Sequence, residues 1–66
     1  MMHISVCSFE DYDKVLVFLL KHDAPITHSD KEGMIIIAKM SEKLANQMYA
    51  DAGFKNDISV WETMPD

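Results

Sequence analysis

The stretch Met34-Ile35-Ile36-Ile37-Ala38-Lys39-Met40 limits the possible folds more than any other, because no polar side chain interrupts it until Lys39. An isoleucine-rich run introduced by Gly33 reads as a strand near the middle of a small sheet. The remaining segments can be placed as cover for it.

His3 to Cys7 alternates, with Ile4 and Val6 on one side and His3, Ser5 and Cys7 on the other, the pattern of a half-buried strand. Ser8 stands where an N-cap belongs, with Glu10 and Asp11 in the first turn, and a helix is expected from about Phe9 to His22. On a 100° wheel Phe9, Tyr12, Val15, Leu16, Leu19 and Leu20 share the expected buried face, opposite Glu10, Lys14 and Lys21. Val17 and Phe18 fall on the polar flank, covered by loops or left as an apolar patch for a partner.

Ala24-Pro25 stops that helix, and Pro25 to Ser29 suits only an edge strand. Asp30-Lys31-Glu32-Gly33 supplies the turn into the isoleucine run, so the two strands form a hairpin. Ser41 caps a second helix whose inner face carries Leu44, Ala45, Met48 and Ala52. Gly53 takes the left-handed position after it, and Ile58 to Glu62 alternates once more. Thr63 to Asp66 is expected to be a frayed tail.

Strand, helix, strand, strand, helix, strand gives an α+β, ferredoxin-like split βαββαβ fold. It has a four-stranded antiparallel sheet with two helices on one face, strands one and three central. The rival arrangement omits the polar second strand and leaves a three-stranded βαβαβ. Either way 66 residues make one small domain, residues 1–66, with a limited core.

Chemistry is easier to exclude than to assign. All six basic residues are lysines and the net charge is -5, so bidentate contacts to phosphate or guanine are absent and direct nucleic-acid binding is disfavoured. One cysteine allows no internal disulfide and fits a reducing, cytoplasmic setting. The N-terminus lacks the pattern of a secretion signal, and no apolar run approaches a membrane span. His3 and Cys7 stand roughly 13 Å apart along a strand, too far to share a metal, and no glycine-rich phosphate cradle exists. Cys7 near acidic residues reads as an inert, half-buried thiol, and Glu10, Asp11 and Asp13 as a solvated helix start. No cofactor, metal or catalytic set is expected.

Two helices cover one sheet face only. With Ile4, Val6, Ile58 and Val60 turned toward them, Ser5, Cys7, Ser59 and Trp61 face away together with one parity of the triple isoleucine, at least one of Ile35, Ile36 or Ile37, and Ile36 is taken as the candidate. Such a surface calls for cover by a second copy, a larger partner or the tail. Interface candidates are therefore Trp61, Ser59, Cys7, Ser5 and Ile36 on the sheet, Phe18 and Val17 on the helix flank, and the acids Glu10, Asp11 and Asp13. The leading expectation is a non-catalytic accessory or inhibitory factor that blocks a larger protein. If that target binds nucleic acid, the carboxylates imitate phosphates. Exclusive use of lysine is compatible with an A+T-rich coding sequence such as many phages have. The alternative is a small-molecule-sensing domain with its pocket at a homodimer interface.

Overall fold

A computed structural model describes residues 1–62, and the tail expected to fray lies outside the described residues. The chain forms β1 (Met2–Ser5), α1 (Phe9–Lys21), β2 (Ile26–Asp30), β3 (Ile35–Ala38), α2 (Glu42–Asp51) and β4 (Ser59–Glu62). One antiparallel sheet has the order β2-β3-β1-β4, the ferredoxin-like split βαββαβ arrangement. The two most apolar strands occupy the centre and the proline-led strand an edge, so the three-stranded alternative falls away.

Local chemistry sets each boundary. Ser8 Oγ accepts the Asp11 N–H at 3.1 Å and Ser41 Oγ accepts the Leu44 N–H at 3.0 Å, capping both helices with side-chain oxygen. Gly53, at φ 66°, ends α2 in the left-handed region that glycine enters without strain. In the hairpin turn Asp30 Oδ1 accepts the Gly33 N–H at 3.1 Å. A Cβ at Gly33 would lie 2.6 Å from Asp30 Oδ2, so this turn admits no side chain there without moving the carboxylate.

The core lies between the helices and one sheet face. Ile4, Leu19, Ile36, Met48 and Val15 are fully buried, with Val6, Tyr12, Phe18 and Ala38 around them. Each large apolar side chain removed from water contributes about 1.5–3 kcal/mol, and in a chain this short nearly all of that comes from this single layer.

Helix α1 departs from the wheel drawn on sequence. Its buried residues are Asp11, Tyr12, Val15, Phe18 and Leu19, while Phe9 is 52% and Leu20 70% exposed. At 100° per residue the buried arc is turned by roughly 70° toward Asp11 and Phe18. The reason is α2, whose C-terminal end lies beside α1. Lys14 Nζ donates to Gly53 O at 2.7 Å, and Phe18 and Ala52 line the same groove between the helices. A wheel that considers only the sheet omits this second neighbour.

Candidate functional site: the open sheet face

Register determines which residues share the uncovered face. His3 pairs with both Ile37 and Trp61, and His28 pairs with Ile37, giving the row Trp61-His3-Ile37-His28 across the four strands. The neighbouring row on the same face is Ser59-Ser5-Ile35-Asp30. Because side chains alternate along a strand, Ile36, opposite Ile4 and in one row with Val60 beyond it, points to the helices.

The first row is the most aromatic part of this surface. The Trp61 indole stacks on the His3 imidazole with centroids 4.3 Å apart and planes 15° from parallel. Trp61 remains 44% exposed, and Ile35 and Ile37 are half-buried. His3 Nε2 is enclosed and has no hydrogen-bond partner. The stack thus presents a flat aromatic plate at the β4 edge, continued inward by Ile37. Polar Ser5, Ser59 and Asp30 flank it, an arrangement suited to nonpolar contact with a polar surround.

Several expected site residues are elsewhere. Ile36 has no exposed surface and belongs to the core, so it leaves the candidate interface, and Ile35 and Ile37 take its place. Phe18 is only 6% exposed and stands 4.3 Å from the His22 ring, so it leaves the helix-flank patch as well. Val17 is 64% exposed as expected, and Phe9 and Leu20 extend the apolar surface of α1 beside it. Cys7 lies beyond the end of β1 and is exposed rather than half-buried, its Sγ donating to Asp57 O at 3.6 Å.

The acids divide sharply. Asp11 is fully buried, and its carboxylate accepts Lys55 N–H at 2.9 Å, Asn56 N–H at 3.1 Å and Asn56 Nδ2 at 3.4 Å. It fastens the α2–β4 loop to the start of α1, which removes it from any docking surface. The Lys55 backbone N–H is the main cause holding its carboxyl below the ordinary 3.8. Burial opposes that effect, and the Asn56 backbone and side chain and then Lys14 add to it. Glu10 and Asp13 are exposed, Glu10 facing Lys55 at 3.0 Å and Lys14 at 3.8 Å and Asp13 facing Lys31 at 3.3 Å. Surface pairs of this kind contribute at most about 1 kcal/mol.

The His3–Trp61 stack and the exposed Leu20 and Tyr49 were not singled out on sequence. Shared strand parity already places His3 and Trp61 on one face, but their register is set by tertiary pairing. A depression of about 430 Å³ lies between α1 and α2, away from the open face. Acids Glu10, Asp13 and Asp51 alternate around it with Lys14 and Lys21, so its charge selects no ligand class. Among the described residues no group of three or more metal-ligating side chains comes together, and no helix is long and apolar enough to cross a membrane. No known family model, curated protein or solved structure matches the chain.

Proposed function

We propose that this chain is a non-catalytic protein-binding module, a small accessory or inhibitory factor that acts in a reducing cytoplasm by docking on a larger protein through its open sheet face. The observation that carries the reading is the Trp61–His3 stack, which leaves an indole 44% exposed beside Ile35 and Ile37. Tryptophan is among the residues that concentrate binding energy when a partner removes it from water. The net charge of -5 favours a basic target surface over an acidic one.

The test is affinity capture with the tagged wild-type chain and with Trp61→Asp, followed by mass spectrometry, with circular dichroism confirming that the variant folds. A larger protein held by the wild type and lost with Trp61→Asp is the expected result. Identical captured sets from both chains overturn the proposal.

A further inference from the structure

The sheet has two edges, and they are treated differently. β2 is preceded by Pro25 and carries an irregularity between Ile26 and His28. Its outer residues Thr27 to Asp30 are polar and exposed. These are the usual devices that stop another strand from adding to an edge. β4 lacks the first two, since Ser59 to Glu62 contains no proline and its ladder to β1 runs in unbroken register, and it carries the half-buried Val60 and the indole of Trp61 between exposed Ser59 and Glu62.

The direction of the free backbone groups follows from the hydrogen bonding. Val6 N–H donates to Met34 O, so the even residues of β1 bond toward β3, and His3 and Ser5 bond toward β4. Trp61 and Ser59, opposite them, spend their backbone groups on β1, and Val60 and Glu62 direct theirs outward. A depression of about 250 Å³ lies between α2 and this edge, lined by Ala45, Tyr49, Val60 and Trp61, and both charged residues in its lining, Glu42 and Glu62, are acids.

We propose that β4 takes an extended, basic segment of another protein as a fifth strand. Its backbone would bond Val60 and Glu62, one apolar side chain would enter the depression beside Tyr49, and lysine or arginine side chains would face Glu42 and Glu62. Strand addition to an open edge is a general peptide-recognition mode, in which backbone bonds supply affinity and alternate side chains supply selectivity. Charge decides the occupant. A second copy would bring another Glu42 and Glu62 to the same edge of a molecule already at -5, whereas a basic strand neutralises them. This inference rests on the protein-binding reading and names the partner's form.

The probe is a panel of blocked octapeptides in which lysine and valine, leucine or isoleucine share the alternate positions of one strand face, with threonine between them, titrated by Trp61 fluorescence and followed by amide hydrogen exchange. Binding is expected to protect the Val60 and Glu62 amides while leaving Ser59 and Trp61, already in the ladder, little changed. Glu62→Pro removes an outward donor without touching the β1 ladder, and it should weaken binding by at least about tenfold. Glu62→Gln, glutamate-for-lysine peptides and added salt should each weaken it less severely. Backbone N-methylation of the peptide gives a second route to the same loss with the protein unaltered.

The proposal is overturned if no peptide of the panel binds, if binding leaves the Val60 and Glu62 amides unprotected, or if acidic peptides bind equally well. It is also overturned if light scattering finds a dimer that Glu62→Pro dissolves, because the occupant is then a second copy. If these failures occur while Trp61-dependent capture of a larger protein persists, the docking reading survives and only strand addition is lost.

Discussion

Ile36 and Ile37 are consecutive residues of one strand, yet Ile36 meets no solvent and Ile37 is half-buried between two histidines. Beside Ile36 stands Ile4 on β1, with Val60 one strand further along the same row, and Leu19 and Met48 belong to the same core. Around Ile37 stand His3 and His28, rings with an apolar body and a polar rim. The difference teaches how a short chain divides its means. Two helices suffice to seal one side of four strands, and the other side is built from groups that tolerate water while still offering nonpolar area.

The sharpest way to break this comparison is to truncate both isoleucines. Ile36→Ala is expected to cost about 2–5 kcal/mol in urea unfolding, since it removes three carbons from a site with no room to collapse. Ile37→Ala should cost about 1 kcal/mol, because part of that side chain already meets solvent. Equal losses would mean that both faces are packed alike, and the idea of an uncovered surface would go with them.

A second contrast sets Asp11 against Glu10, neighbours in the first turn of α1. Asp11→Asn should lower the melting temperature clearly, because three donors from Lys55 and Asn56 lose a carboxylate. Glu10→Gln should be close to neutral, since its ion pairs are exposed. The pH dependence carries the sign. A carboxyl whose folded-state value lies below 3.8 contributes stability that is complete above that pH and is lost as the pH falls through the lower folded-state value. The melting temperature of the wild type should therefore fall as the pH goes below 3.8, and Asp11→Asn should reduce that fall.

The same pair shows what a sequence can and cannot disclose. Strand order, the central place of the isoleucine run and both serine caps follow from local patterns, because alternation and capping are properties of contiguous residues. The role of Asp11 does not, since its donors are 44 and 45 residues away in the chain. An acid three places after Ser8 is read as a helix-start charge until the loop that needs it is known. Trp61 was legible as an outward residue from alternation alone, whereas its stacking partner required the β1–β4 register. The parity of the isoleucines needs the β1–β3 register in the same way, and without it alternation cannot tell Ile36 from Ile35 and Ile37.

Less costly to the fold is the stack itself. His3→Ala should cost about 0.5–1.5 kcal/mol, the usual worth of an aromatic pair beyond its buried area. Its fluorescence effect should be plainer than its effect on stability, because the indole loses the ring that covers one of its faces. An unchanged Trp61 emission spectrum in His3→Ala would show that the two rings do not stack in solution.

The smallest expected effect comes from α1 and tests its orientation. Leu20 is 70% exposed and Phe18 6%, although the wheel places Leu20 inside and Phe18 outside. Leu20→Gln should therefore stay within about 0.5 kcal/mol of wild type, the range of a surface substitution without partners. Phe18→Ala supplies the reference, at about 3–5 kcal/mol for a buried aromatic side chain. If the order is reversed, α1 sits on the sheet as its own periodicity dictates, and α2 has no part in turning it. If the order holds, Phe18 belongs to the buried arc of α1, on the side where Ala52 at the end of α2 lines the same groove.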